Sequence, residues 1–277
     1  MPALSLDQVT DFPARPAHGC DQHGDSSMSN IDNLTGRLAV VTGGSNGIGA
    51  AAVKRLAAAG ADVIIGYHSS EARAQELLRG LPAGRHDIAR LALEDPASFT
   101  ALAAHIDGRG GKLDILVNSA GFTRAIPHHD LDTLTDDLFE QILIANVRGP
   151  YSAIRALRPQ LRASGDAVVI NVSSISGFTA SGSNVAYCAS KAALDNISMS
   201  LGRALGPEIR VISVSPGAVA TDFVPGRDRA ALEAGAKSTP LRRVVEADDV
   251  AAAILACATH LKVSTGTTIV VDGGRHL

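Results

Sequence analysis

The sequence predicts an α/β fold in which helices cover both faces of a parallel sheet, a doubly wound arrangement. A short apolar run after Arg37, a glycine-rich loop and a helical stretch ending at Gly60 give the order strand, loop, helix. Apolar runs and helical stretches then alternate along the rest of the chain. The length of 277 residues fits one large domain or two small ones, and the alternation favours one.

The composition excludes several classes of partner. There are 25 basic and 28 acidic residues, a net charge of −3 and no basic block, so we expect no nucleic acid partner. The three cysteines form no pair motif and no Cys/His cluster, so we expect neither a disulfide framework nor a metal site. Polar residues interrupt every apolar run before the roughly 20 residues that span a bilayer. A cytoplasmic protein outside the membrane is the expectation.

Residues 1–33 are predicted to form a flexible N-terminal extension, and residues 34–277 the folded domain. Three prolines punctuate the extension, which is polar and lacks periodicity. His18 and His23 are expected to be solvated tail residues rather than metal ligands.

The loop TGGSNGIG, residues 42–49, is suited to hold a pyrophosphate. Gly43 allows the tight turn out of the strand, Gly47 lets the backbone approach the anion, and Gly49 lets the next helix pack closely. The N-terminus of that helix presents free N–H groups to the anion. The spacing GxxxGxG differs from the common GxGxxG, and a glycine-rich turn without a ligand is the alternative.

The second strand, residues 61–68, is predicted to end at an adenosine ribose. An acidic residue at this point typically holds the ribose 2′-hydroxyl of NAD, but here Tyr67 is followed by His68 and Ser69. Without a carboxylate to repel it, a 2′-phosphate could be accepted, so NADP is favoured. NAD stays the alternative because no arginine is at hand to anchor the phosphate.

The following elements continue the alternation. They are a helix near residues 70–79, a strand near 89–93, a helix from Pro96, a strand over 113–121, a long helix through 139–161 and a strand over 165–174. Parallel strands joined by right-handed crossovers end at one edge of the sheet, so Thr42, Tyr67 and Asn118 should share that edge with Ser174. A ligand belongs there.

Ser174 is followed thirteen positions later by Tyr187, and four positions after that by Lys191. If the segment from Val185 is helical, the tyrosine and the lysine stand one turn apart on the same face. A free phenol has a pKa of about 10, and a nearby positive charge favours the phenolate, as a general acid/base requires. An amphipathic surface pair is the alternative for two such residues taken alone.

Taken together, the motifs resemble the short-chain dehydrogenase/reductase family over roughly residues 34–274. They are TGGSNGIG, NSAG at 118–121, Asn146, Ser174, YCASK at 187–191, SPGAVATD at 215–222 and TGTTIVVDGG at 265–274. The resemblance implies a single Rossmann-type domain with a seven-stranded parallel sheet, a dinucleotide-binding catalytic domain over residues 34–277, and NADP or NAD as cofactor. It also implies a homo-oligomer, a tetramer or a dimer.

The resemblance implies a catalytic tetrad of Asn146, Ser174, Tyr187 and Lys191. Tyr187 would carry the proton, and Ser174 would hold the reacting oxygen. Lys191 would act on the tyrosine and the nicotinamide ribose, while Asn146 would position a water between Lys191 and solvent. Judged only by its apolar neighbours, Asn146 would be a structural residue.

The expected cofactor-binding residues come from the glycine loop, three strand ends and the tetrad. They are Gly43, Ser45, Asn46, Gly47, Ile48, Gly49, Tyr67, His68, Ser69, Asn118, Ala120, Gly121, Tyr187, Lys191, Pro216, Gly217, Val219 and Thr221. The family usually has an aspartate beside the adenine at the end of the third strand. Ala92 is expected at that position, which leaves the backbone or Leu93 for the adenine.

The expected function is reversible hydride transfer between a nicotinamide and a carbonyl or secondary-alcohol carbon of a small-molecule substrate. The alternative from another class is a non-catalytic, dinucleotide-binding, redox-sensing regulatory protein. Residues 223–237 lie where the family has a substrate lid, with Pro225 and Gly226 as candidate hinges. Arg227 and Arg229 could bind an acidic substrate group, but exposed helix charges are favoured. The choice among 3-oxoacyl, sugar and general carbonyl substrates stays open.

Overall fold

The structure is a computed structural model that describes residues 32–224, 226 and 228–277. The predicted N-terminal extension lies outside the described residues apart from Asp32 and Asn33. The same is true of further residues singled out above: His18, His23, Pro225 and Arg227.

Parallel strands and α-helices alternate along the described chain. The strands are β1 (Leu38–Thr42), β2 (Asp62–Tyr67), β3 (Asp87–Arg90), β4 (Ile115–Asn118), β5 (Ala167–Val172), β6 (Ile209–Pro216) and β7 (Thr267–Val271). The α-helices are α1 (Gly47–Ala58), α2 (Glu71–Arg79), α3 (Pro96–Asp107), α4 (Asp136–Leu143), α5 (Gly149–Ser164), α6 (Ser176–Thr179), α7 (Val185–Ala204), α8 (Arg229–Ala236) and α9 (Ala247–Thr259).

The described strands form one seven-stranded sheet in the order β3-β2-β1-β4-β5-β6-β7, with every neighbouring pair parallel. All residues of β1, β4, β5 and β6 are buried, as expected for strands covered on both faces. The predicted doubly wound, seven-stranded Rossmann-type fold is confirmed.

Two helical layers complete the core. Val53 and Leu56 of α1 pack with Ile254 of α9 on one face of the sheet. Phe99 of α3 and Leu157 of α5 pack on the other face. Each helical layer buries its apolar face against apolar strands, so water is excluded from both faces of the central sheet.

The predicted long helix through residues 139–161 is interrupted. A π-helical turn over Ile144–Arg148 separates α4 from α5, and its last bond runs from the N–H of Gly149 to the carbonyl oxygen of Ile144. Such single turns often occur at functional sites. Apolar periodicity cannot reveal this turn, because it is held by tertiary hydrogen bonds of Asn146. The third strand also differs, ending at Arg90 rather than Leu93.

The glycine loop after β1 packs closely on the loop after β4. Gly43 has a φ of +64°, and a Cβ there would lie 2.9 Å from the Cα of Ala120. A Cβ on Gly49 would overlap the carbonyl oxygen of Gly43. Both positions therefore require glycine, one for its backbone angle and the close approach, the other for the close approach alone.

We expect Leu157→Ala to lower the free energy of unfolding by about 2–5 kcal/mol, since the side chain is fully buried and its removal leaves a cavity. Chemical denaturation provides the measurement. The matched control is Leu131→Ala, whose residue is 70% exposed and should change stability by less than about 0.5 kcal/mol. Similar losses for both variants would contradict the packing described for α5.

Candidate active site

The carboxyl ends of the strands open onto a cleft of about 920 Å³. Its walls come from the segments that follow all seven strands, together with the π-helical turn and the start of α7. Most of the predicted site residues line it: Gly43, Ser45, Asn46, Gly47, Ile48, His68, Ser69, Ala120, Gly121, Ser174, Tyr187, Lys191, Pro216, Gly217, Val219 and Thr221. The topology thus brings together residues that are far apart in sequence.

Tyr67, Gly49 and Asn118 lie behind the cleft wall. Tyr67 is 8% exposed and packs in the core, and burial, helped by the nearby Glu71, raises its pKa. The Nδ2 of Asn118 donates to the Oδ1 of Asn171 at 2.9 Å, which joins β4 to β5. At the end of β2 the cleft is therefore lined by His68, Ser69 and Ser70 instead of Tyr67.

The start of α7 is fixed by Asn184, a residue the sequence analysis missed. Its Oδ1 accepts from the N–H of Tyr187 at 2.7 Å, and its Nδ2 donates to the carbonyl oxygen of Arg124 at 2.8 Å. Asparagine is a preferred N-cap residue. Its position directly before the predicted helix could have identified it as the N-cap from the sequence.

Lys191 stands one turn after Tyr187 and is 5% exposed. Its Nζ donates to the carbonyl oxygen of Val172, at the end of β5, over 2.8 Å and lies 5.7 Å from the centre of the Tyr187 ring. Burial lowers the lysine pKa to about 8, and the charge of Asp195 partly opposes this shift. The ammonium is thus fixed beside the phenol, as the spacing predicts.

Asp195 follows Lys191 by one turn of α7 and was not singled out from the sequence. Burial raises its pKa, and the Lys191 ammonium is among the groups that oppose this. An acidic residue four positions after a lysine lies on the same helix face. This spacing could have identified Asp195 from the sequence. The charge of Lys191 is therefore coupled to a second, half-buried ionisable group.

Ser174 lies just beyond β5 and is 6% exposed. Its Oγ accepts from the N–H of Ser176 at 3.1 Å, which leaves the hydroxyl hydrogen available to a ligand in the cleft. The neighbouring Ser173 donates to the carbonyl oxygen of Lys191 at 3.3 Å. Ser173 therefore braces α7, whereas Ser174 is the serine that can donate to substrate.

Asn146 is fully buried in the π-helical turn. Its Nδ2 donates to the carbonyl oxygen of Phe122 at 2.9 Å and to Ser190 Oγ at 3.1 Å, and its Oδ1 accepts from the N–H of Phe122 at 2.8 Å. Both amide hydrogens are thereby used. Asn146 ties the loop after β4 to α7, in agreement with the structural interpretation of its apolar neighbours.

The β2 end of the cleft contains a carboxylate that the sequence analysis did not place there. Glu94, four residues after β3, lines the cleft, and its Oε1 lies 3.2 Å from His68 Nε2. Leu91 and Leu93 line the same region, whereas Ala92 is buried outside the wall. The local sequence does not predict that Glu94 lines the cleft, because its position depends on how β3 pairs with β2.

The segment after Thr221 forms the far wall of the cleft. Phe223 lines the cleft, and its ring centre lies 6.1 Å from that of Tyr187. Arg229 lies outside the cleft wall and pairs with Glu233 at 3.0 Å and Glu246 at 2.7 Å. Of the two candidate arginines of this segment, Arg229 is thus an exposed, ion-paired helix residue.

Within the described part of the chain, no three His, Cys, Asp or Glu side chains are grouped so as to hold a metal ion. Within the same part, no helix is long and apolar enough to cross a membrane.

The glycine loop lines the cleft at the N-terminus of α1, where free N–H groups suit a pyrophosphate, and a serine, a tyrosine and a buried lysine lie in the same cleft. This combination defines a dinucleotide-dependent oxidoreductase. The comparisons with known proteins agree. A family model described as enoyl-(acyl carrier protein) reductase matches residues 43–276.

The alignments with individual relatives cover nearly the full length of each relative. A rhamnolipids biosynthesis 3-oxoacyl-(acyl-carrier-protein) reductase of Pseudomonas aeruginosa is 35% identical over 88% of this chain and 98% of its own. A 3alpha-hydroxysteroid dehydrogenase of Mediterraneibacter gnavus is 33% identical over 87% and 97%. The crystal structure of a short-chain dehydrogenase from Burkholderia cenocepacia in complex with NADP is 38% identical over 88% and 100%, with a TM-score of 0.80.

The chain belongs to the short-chain dehydrogenase/reductase family. It is an oxidoreductase that uses NAD(P) with alcohol or carbonyl substrates. This confirms the family, the class of enzyme and the cofactor class expected from the sequence.

We expect Lys191→Met to change how stability depends on pH in the cofactor-free protein. The folded lysine loses its proton near pH 8, whereas its ordinary pKa is 10.5. Between these values the folded wild type binds fewer protons than the unfolded chain, so its free energy of unfolding should rise with pH relative to the variant. The slope should be at most about 1.4 kcal/mol per pH unit.

The measurement is denaturant unfolding of both proteins at several pH values across this window. Below about pH 8 the difference between them should be constant. A difference that falls as the pH rises would contradict the burial of the ammonium.

Proposed function

We propose that Tyr187, Ser174, Lys191 and Asn146 serve a reversible hydride transfer between a nicotinamide and a carbonyl or secondary-alcohol carbon. The observation that carries this proposal is the Lys191 ammonium, buried 5.7 Å from the Tyr187 ring centre. A cation fixed at that distance favours the phenolate form, which a tyrosine acid/base must reach during each turnover.

In the reductive direction the Tyr187 hydroxyl gives its proton to the carbonyl oxygen of the substrate. The Ser174 hydroxyl donates a hydrogen bond to the same oxygen and polarises it. Lys191 stabilises the tyrosinate that is left behind. Asn146 keeps the π-helical turn against α7 and, in this proposal, orients the water that links Lys191 to solvent. The bound cofactor supplies the hydride.

The remaining predicted cofactor-binding residues hold the dinucleotide in this proposal. The glycine loop and the N-terminus of α1 bind the pyrophosphate, and the loop over residues 216–221 lies along the nicotinamide. Leu91 and Leu93 offer apolar surface to the adenine. Tyr67, Gly49 and Asn118 support these groups from behind the wall without contacting the cofactor.

We propose NADP as the preferred cofactor, with Glu94 as the residue that limits the preference. Support comes from the imidazole and hydroxyls of His68, Ser69 and Ser70, and from relatives whose structures contain NADP. The carboxylate of Glu94 lies 3.2 Å from His68. It would repel a 2′-phosphate and compete with it for the imidazole.

Glu94→Gln should therefore raise the ratio of kcat/KM for NADPH to that for NADH by about fivefold, because two close charges at a wet surface repel by about 1 kcal/mol. Steady-state kinetics with both cofactors provide the measurement. Glu140→Gln, an exposed residue of α4 outside the cleft, is the control. An unchanged or lower ratio for Glu94→Gln would show that Glu94 does not face the 2′-position.

Finer features are proposals as well. The substrate is a small carbonyl or alcohol compound, and the relatives named for 3-oxoacyl and hydroxysteroid substrates support two classes for testing. We propose that residues 34–277 form the catalytic domain. The half-exposed edge strand β7, where Val270 is 38% exposed, supports a homo-oligomer.

A cytoplasmic location fits the absence of any expected disulfide.

Tyr187→Phe should lower kcat/KM by about 10²–10⁴, because it removes the proton carrier, while cofactor affinity changes little. The measurement is NAD(P)H oxidation with ketones, aldehydes, 3-oxoacyl thioesters and an enoyl thioester. Tyr151→Phe, on the exposed face of α5 and outside the cleft, is the matched control. Equal activity of wild type and Tyr187→Phe would refute the mechanism, and cofactor binding without any turnover would favour the redox sensor.

A further inference from the structure

The last residues of the chain form a fixed turn beside the cleft. The Asp272 carboxylate accepts from the N–H groups of Gly274 and His276, each at 2.8 Å, and pairs with His276 Nδ1 at 2.8 Å. Asp272 itself is 6% exposed. The turn that follows β7 is therefore held by a buried carboxylate, and the residue it presents to the cleft is Arg275.

Two neighbouring elements contact the turn that carries Arg275. The His276 ring meets Phe178 of α6 edge-on, with ring centres 5.8 Å apart, and α6 begins two residues after Ser174. A Cβ on Gly235 of α8 would lie 3.1 Å from the guanidinium of Arg275. The side chain thus passes over α8 at its glycine and lines the cleft there.

The charge of Arg275 is not neutralised by the described part of the protein. Among the described residues, no carboxylate lies within 4.0 Å of its guanidinium, whereas Arg229 on the neighbouring helix has two partners. Other ionisable groups of the wall have partners of their own: Glu94 lies 3.2 Å from His68, and Lys191 donates to the carbonyl oxygen of Val172. The exception is Asp222, which lines the cleft without an ion-pair partner among the described residues.

We propose that Arg275 binds an anionic group of the substrate, a carboxylate or a phosphate, and so selects carbonyl or alcohol compounds that carry one. A guanidinium presents paired N–H donors that match the two oxygens of such a group. This proposal rests on the proposed function. It also replaces Arg229 as the candidate for acid recognition, because Arg229 is ion-paired outside the cleft.

The test uses the full chain with NADPH and matched pairs of substrates. One arm compares keto acids of several lengths with their methyl esters, and another compares keto phosphates with the corresponding keto alcohols. Arg275→Gln should lower the ratio of kcat/KM for the anionic to the neutral member by about 10- to 100-fold. Arg275→Lys should retain part of that ratio, and Arg229→Gln should leave it unchanged.

The two arms also distinguish carboxylate from phosphate, by whichever pair gives the larger ratio. An equal fall for both members of each pair would show a structural role and overturn the proposal. A loss of cofactor affinity in Arg275→Gln that accounts for the fall would do the same, because it would assign the arginine to the cofactor phosphates.

A binding measurement separates failure of this proposal from failure of the proposed function. Calorimetry compares simple carboxylates that lack a carbonyl with their amides, on the complex with NADP. Tighter binding of the carboxylate, lost in Arg275→Gln, supports the anion site even if no ketone is reduced. No preference for the carboxylate in the wild type would overturn it, whatever the activity.

Discussion

The buried ammonium of Lys191 is the constraint on which the site depends. Its bond to the carbonyl oxygen of Val172, 2.8 Å long, fixes α7 against the end of β5, and with it the position of Tyr187 one turn earlier. Removing an ammonium from water is costly, and burial accordingly lowers the lysine pKa to about 8. The charge at the centre of the cleft is therefore sensitive to Asp195 and to whatever binds beside it.

Close contacts join the part of the cleft lined by the glycine loop to the part that contains Tyr187. The glycine loop rests on Ala120 through Gly43, which has no side chain to hold the two loops apart. The loop after β4 is bound in turn by Asn146, through the backbone of Phe122, and Asn146 also bonds to Ser190 of α7. The glycine loop, the loop after β4 and α7 are therefore in contact with one another, so a shift of one of these segments would displace its neighbours.

Charges along the cleft divide it into regions with different ligand preferences. At the β2 end the Glu94 carboxylate lies 3.2 Å from the His68 imidazole. The centre has a single buried cation beside a phenol. The guanidinium of Arg275 also lines the cleft and has no ion-pair partner among the described residues, which favours an anionic ligand beside it. In our proposals, discrimination between cofactors and discrimination between substrates therefore depend on different residues of the same cleft.

The sequence by itself determined the order of strands and helices, the glycine loop and the spacing of Ser174, Tyr187 and Lys191, because these features depend on local periodicity and short separations. It also located the shared edge of the sheet, since parallel strands must end together. The tertiary structure decided the rest: the π-helical turn at Asn146, the approach of Glu94 to His68, the withdrawal of Tyr67 into the core and the position of Arg275. Each depends on contacts between residues distant in the chain, and the geometry of those contacts is set by how strands and helices pack.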